Sequence, residues 1–306
     1  MTLRSTLLAT AVTFAMTGSA FAAGCDKIVF SDVGWTDITA TTATASVVLQ
    51  ALGYETETKL LSVPVTYTGL AGGDIDVFLG NWMPTMEGDI APYREAKTVD
   101  TVTENLKGTQ YTLATNAAGA ALGIKSFADL ASHKDALEGK IYGIEPGNDG
   151  NRLILDRITA NDFDMKGFEL VESSEQGMLA QAVNLDKDGK PVVFLGWAPH
   201  PMNAAMDLTY LTGGEEWFGA EGSVFTNTRA GYVAECPNTG KLLQNMTFTL
   251  PMENAIMAAI LNDGADATEA ATAWLAANPD AWAAWLDGVT TKDGGDAKAA
   301  VQTALN

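Results

Sequence analysis

Three tryptophans follow closely on glycines along this chain: Gly34-Trp35-Thr36-Asp37, Gly80-Asn81-Trp82-Met83-Pro84 and Gly196-Trp197-Ala198-Pro199. The second and third are each led by the same Val-Phe-Leu-Gly phrase, residues 77–80 and 193–196, and the first follows the apolar run Ile28-Val29-Phe30. Indole faces attract cations, and they suit a quaternary ammonium group, which has no N–H to donate. Each desolvated ring contributes about 0.5–2 kcal/mol, so three or four rings reach micromolar binding or better. A lone buried Trp is more often core. Three at strand ends, beside Gly and Pro, fit packing less well. Asp37 lies two residues after Trp35, so one loop can present a ring and a carboxylate together. A carboxylate there accepts a hydrogen bond from a ligand hydroxyl and repels a ligand carboxylate. It could equally cap a helix.

Motifs for chemistry are missing. There is no G-x-S-x-G, H-E-x-x-H, Walker A or G-x-G-x-x-G sequence. Only two histidines occur, His133 in a polar stretch and His200 three residues past Trp197. A His with no Cys or Ser partner in view makes a poor catalyst. The run Asn184 to Gly189 resembles the start of a calcium loop, but Leu195 stands where the twelfth ligand belongs, so it reads as a turn. The expectation is a binding protein with no metal, no cofactor and no enzymatic step.

The elements that must position these residues read as two similar units. In the first, Lys27 to Phe30 is a strand, Thr39 to Leu52 a helix, Glu55 to Val63 a strand, Thr68 to Gly73 a short helix or turn, and Ile75 to Leu79 a strand. In the second, Lys140 to Ile144, Gly167 to Glu172 and Val192 to Leu195 are strands, separated by a helix to about Thr159 and another over Ser174 to Leu185. Gly196 is expected to end the last strand, leaving Trp197 on a loop. Each unit is β-α-β-α-β, the pattern of a parallel sheet with right-handed crossovers. Residues 89–110 read as irregular or partly strand, with a crossing between units near Tyr111. From Val224 the chain returns to the first unit through helices that carry Trp274, Trp282 and Trp285, read as packing residues.

Composition narrows the class. With 47% apolar and 18% charged residues in 306, the chain is globular. Its net charge of −20 argues against nucleic acid and anionic membranes as partners. Residues 1–23 read as a secretory signal peptide: Arg4, an apolar run from Leu7 to Ala20, then Ala20-Phe21-Ala22. Arg4 is their only charged residue, so cleavage takes −20 to −21. Two cysteines, Cys25 and Cys236, suggest one disulfide in an exported protein, worth roughly 4–5 kcal/mol at most for so long a loop. The competing reading is a lipid-anchored Cys25, since Gly24-Cys25 follows the apolar run.

These motifs, with the Tyr111 crossing and Glu145-Pro146-Gly147-Asn148-Asp149-Gly150, resemble the choline-binding periplasmic proteins of bacterial ABC transporters, within the wider betaine- and choline-binding family. The resemblance covers essentially the whole chain after residue 23. It implies an α/β, two-lobed periplasmic binding protein of type II, each lobe a sheet flanked by helices, joined by two hinge strands. Residues 24–111 and 223–306 would form lobe I and 112–222 lobe II. The trimethylammonium group would sit among Trp35, Trp82, Tyr111 and Trp197, with its hydroxyl held by Asp37 and Asn148. Asn81, Asn116 and His200 are further shell candidates. The partners implied are choline and a membrane permease, for a protein expected to be a monomer in the periplasm. Glycine betaine, proline betaine and acetylcholine remain alternative ligands, and an enzyme acting on choline esters a remoter alternative.

Overall fold

The structure is a computed structural model, and it describes residues 24–306. The signal-peptide reading falls on residues 1–23 and lies outside the described residues. The first unit is β1 (Lys27–Asp32), α1 (Thr36–Ala51), β2 (Glu55–Leu60), α2 (Val63–Gly72) and β3 (Val77–Met83). Then come α3 (Glu87–Glu95), the long β4 (Val99–Asn116) and α4 (Ala117–Ala121). The second unit is β5 (Lys140–Tyr142), α5 (Asp149–Ala160), β6 (Glu169–Val171), α6 (Glu175–Lys187) and β7 (Val193–Ala198). After α7 (Met202–Ala205), β8 (Leu208–Tyr210) and α8 (Glu215–Phe218), the chain enters β9 (Gly222–Arg229). Six helices close it: α9 (Tyr232–Glu235), α10 (Pro237–Asn245), α11 (Leu250–Leu261), α12 (Ala267–Ala277), α13 (Pro279–Ala283) and α14 (Ala297–Ala304).

The strands run in the order β2-β1-β3-β9-β4-β7-β5-β6, with β8 beside β4. Parallel pairing holds β2-β1-β3 and β6-β5-β7, so the two expected units share one strand order. An antiparallel strand completes each: β9 against β3, and β4 against β7. β4 belongs to both halves. Its Val99–Thr109 stretch pairs with β9, and its Gln110–Thr115 stretch pairs with β7. The register against β9 shifts three times, which breaks the period-2 alternation and hides the strand in the sequence. The start of the stretch expected to be irregular is in fact helical, as α3.

The expected second strand overruns, since β2 stops at Leu60 and Val63 already opens α2, and two strand ends beside the tryptophans fall short. β7 does not stop at Gly196 but runs on through Trp197 to Ala198, and β3 runs through Trp82 to Met83. The antiparallel neighbours extend them: Gly196 and Trp197 pair with Thr112 and Tyr111, and Trp82 pairs with Val224. The glycine has a packing reason instead. A Cβ at Gly196 would stand 2.7 Å from the Cβ of Ala114, so only a bare backbone lets β4 pass. Of the three tryptophans, only Trp35 sits beyond its strand.

The closing helices return to the first unit, where α1 packs against α11, α12 and α14. Trp282 and Trp285 are buried there, as packing residues. Cys25 and Cys236 are disulfide-bonded with Cα atoms 5.4 Å apart, tying the lead into β1 to the start of α10. That bond excludes a lipid on Cys25.

Candidate functional site

Where the two halves face each other, a small cavity is lined by Trp35, Asp37, Trp82, Tyr111, Asn148 and Trp197, together with Ile144 and Asp149. All six expected site residues therefore meet at one place, supplied by different elements. Trp82 stands on β3, Tyr111 on β4 and Trp197 on β7. Trp35 immediately precedes α1, and Asp37 lies in its first turn. Asn148 is the N-cap of α5, and Asp149 is that helix's first residue.

The ring positions follow from sheet register. Tyr111 and Trp197 are direct cross-strand partners, with ring centroids 6.3 Å apart at 88°. Trp82 meets Tyr111 at 5.9 Å and 61°. Two indole N–H groups donate to carboxylates: Trp82 Nε1 to Asp37 Oδ2 at 2.9 Å, and Trp35 Nε1 to Glu145 Oε1 at 2.8 Å. The Tyr111 hydroxyl donates to Asn148 Oδ1 at 3.2 Å, an approach that needs the bare backbone of Gly150, whose Cβ would fall 2.1 Å from the Tyr111 hydroxyl oxygen. Asn148 Oδ1 also accepts the Asn151 N–H at 3.0 Å, and its amide donates to Asp149 Oδ1 at 3.0 Å. An amide nitrogen has two hydrogens, so one remains for a ligand.

Two carboxyl groups, Asp37 and Asp149, line the cavity. Asp37 Oδ1 and Asp149 Oδ2 are buried and have no hydrogen-bond partner among the described residues. The Thr85 hydroxyl lies beside Asp149 but donates to the Trp82 carbonyl at 3.1 Å. Burial, then the nearby charge of Glu175, pushes Asp37 up to about 7. Burial likewise pushes Glu145 up to about 7 and Asp149 up to about 6. The Tyr111 hydroxyl is held well above its ordinary range, again by burial. Uncompensated buried carboxylates are costly, and a cation in their midst offsets that cost. Ring faces and carboxylates together suit a small cation.

Asp37 is not the cap of α1: Trp35 occupies the N-cap position, and the Asp37 carboxylate serves Trp82. Asn148 is both a cap and a cavity residue, so the two readings of it coexist. Asn81 and Asn116 do not line the cavity. Asn81 bonds Tyr67 and Asn227, and Asn116 caps α4 and binds Asp186 and the Lys190 carbonyl. His200 stands just behind, its ring 5.0 Å from that of Trp197 and its Nε2 3.3 Å from Glu175. Ile144 and Asp149 were missed as lining residues. Ile144 precedes the Glu145 to Gly150 turn and Asp149 lies within it next to Asn148, which was the available signal. For Glu175, inside an ordinary helical stretch, the sequence offers none.

Comparison with known proteins places this geometry. Residues 26–277 match the substrate binding domain of ABC-type glycine betaine transport systems. The chain belongs to this family. An ABC-transporter choline binding protein, solved in complex with choline, is 67% identical, with a TM-score of 0.91 over 92% of this chain and 99% of that one. An unliganded semi-closed structure of an ABC-transporter choline binding protein, equally identical and with the same coverage, gives 0.85. The higher score puts the present arrangement nearer the liganded one. Lactococcal OpuAC, closed on glycine betaine, is 25% identical with a TM-score of 0.78 over 85% of this chain and 99% of its own. The fold is thus the two-lobed α/β binding-protein fold, and the protein is an ABC-transporter substrate-binding protein of this family.

Proposed function

We propose that the protein captures choline between its lobes in the periplasm and hands it to an ABC permease, without chemistry of its own. The lobes would divide at residues 24–111 with 223–306 and at 112–222. The observation that carries this reading is the company the four rings keep. Trp35, Trp82, Tyr111 and Trp197 surround a cavity whose polar lining is Asp37, Asn148 and Asp149, with no basic side chain among its lining residues. The rings would hold the trimethylammonium group, and Asp37 and Asn148 its hydroxyl. The Cys25–Cys236 disulfide fits an oxidising compartment, and substrate-binding proteins of ABC importers are periplasmic.

Glycine betaine is the second reading, favoured by the family's description and by the OpuAC complex. Its carboxylate would face Asp37 and Asp149, at a cost a hydroxyl does not incur. Calorimetric titration of residues 24–306 with each ligand decides. Choline is expected to bind at micromolar Kd or better and glycine betaine at least about 100-fold more weakly, a gap of about 2.7 kcal/mol. Asp37→Asn should weaken choline and narrow that gap. Tighter glycine betaine binding by the wild type would overturn the assignment while leaving the ring box in place.

A further inference from the structure

We infer that Glu175 is a positioning residue for capture: from α6 it caps the N-terminus of α1 across the cleft, and so fixes Trp35 and Asp37 in the cavity wall. The inference rests on the choline reading above. Helix N-termini leave backbone N–H groups that need acceptors. The N-cap of α1 is Trp35, which has no side-chain oxygen and makes no capping bond. Glu175 supplies the acceptor instead. Its Oε2 accepts the Thr36 N–H at 2.8 Å, and its Oε1 accepts the Thr36 hydroxyl at 2.5 Å. Thr36 lies between the two cavity residues Trp35 and Asp37.

Glu175 is not needed by its own helix, since Ser174 caps α6 by accepting the Gly177 N–H at 3.1 Å. The bond links distant parts of the molecule. α1 packs on β1, β2, β3 and the closing helices, whereas α6 packs on β7. Glu175 is 1% exposed, so the bond is shielded from water. The positive end of the α1 dipole favours a carboxylate there.

His200 holds Glu175 from the other side. Its Nδ1 accepts the Met202 N–H at 3.0 Å, which puts the ring proton on Nε2, 3.3 Å from Glu175 Oε1. The His200 ring also packs against Trp197. One path therefore runs from Trp197 through His200 and Glu175 to Thr36, joining the ring of β7 to the ring and carboxylate of α1. The bonds of Glu175 to Thr36 form when the halves meet, which makes them differential contacts of the closed form.

Residues 24–306 carrying Glu175→Ala, Glu175→Gln and Thr36→Val test this. The readouts are choline Kd by calorimetry, dissociation rate by stopped-flow fluorescence, and melting with and without choline. Glu175→Ala should raise Kd about 10- to 100-fold, chiefly through faster dissociation. It should leave the ligand-free Tm unchanged. Glu175→Gln keeps an acceptor oxygen without the charge and should recover part of the loss. Adding Thr36→Val to Glu175→Ala should change little, because the partner is already gone. A Kd within about two-fold of wild type for Glu175→Ala would overturn the inference, given the size expected for a charged hydrogen bond. So would an equal loss of Tm with and without choline, which is the mark of a merely structural contact. A wild type that binds glycine betaine and not choline overturns the ligand assignment instead, and the same variants with glycine betaine still decide the role of Glu175.

Discussion

α1 and α5 each follow the first strand of a unit built in the same order, yet their N-termini are completed in opposite ways. α5 carries its own cap, Asn148, whose Oδ1 accepts the Asn151 N–H. α1 has no cap of its own and takes Glu175 from α6. The tryptophans of the first unit divide likewise. Trp82 donates to Asp37 nearby on α1, while Trp35 donates to Glu145, which leads into α5. So the start of α5 is capped from within its own segment, whereas the start of α1 is finished by a group from the other half. A site that is half prepared and half completed on closure links ligand binding to the shape a permease reads.

The rings give the largest test of that contrast. Replacing Trp197 with Ala removes one cation-binding face and should weaken choline by about 30-fold, corresponding to about 2 kcal/mol. Trp82→Ala removes a face and also strips Asp37 Oδ2 of its donor, which adds roughly 1–3 kcal/mol for an unsatisfied buried acceptor. Its Kd should therefore rise by several hundred-fold or more. Calorimetry ranks the two, and a larger loss at Trp197 would break the claim that Asp37 and Trp82 act as one unit.

The carboxylates give a smaller effect, and its sign follows from the raised values. Asp37 and Glu145 at about 7, and Asp149 at about 6, are all pushed up in the closed, ligand-free arrangement. Closing without ligand therefore takes up protons. That contribution is fully present below the ordinary carboxylate range near 4 and is lost as pH rises through 6 to 7. A bound cation favours the ionised forms and brings these values back down. Starting from the open protein, whose carboxyls stand in water, choline binding should then take up few protons or none, and its affinity should stay nearly flat between about pH 5 and 8. Titration in two buffers of different ionisation enthalpy measures the proton balance directly. Uptake of about one proton or more near pH 6 would show the carboxyls closing neutral and would remove the cation from its role as counter-charge.

The paired Val-Phe-Leu-Gly phrases made the two parallel units legible, and with them two of the four rings, Trp82 and Trp197; Trp35 was legible from the related Ile28-Val29-Phe30 run. Asp37 was legible because it shares a loop with Trp35. What stayed hidden depends on long-range pairing. β3 and β7 outrun their glycines because β9 and β4 lie alongside, and no local pattern announces those partners. β4 is bulged, so its alternation fails. Glu175 is 139 residues from Thr36 and sits in an unremarkable helical stretch; only the fold shows what its carboxylate does.

The smallest effect separates the two helix starts in the ligand-free protein. Asn148→Ala removes a cap that is made within one segment, and with it the acceptor of the Tyr111 hydroxyl. Loss of a cap costs about 1 kcal/mol, which lowers Tm by roughly 2–4 °C in a domain of 150–250 residues. Glu175→Ala removes the cap of α1, but in the open protein that end is met by water, and the ligand-free Tm should hold. With choline present the order reverses in part: both variants lose ligand-induced stabilisation, and Glu175→Ala now melts lower than the wild type. Melting each variant with and without choline gives four numbers. If Glu175→Ala already melts low without ligand, α1 is capped in the free protein too, and both walls of the cavity stand ready before the ligand arrives.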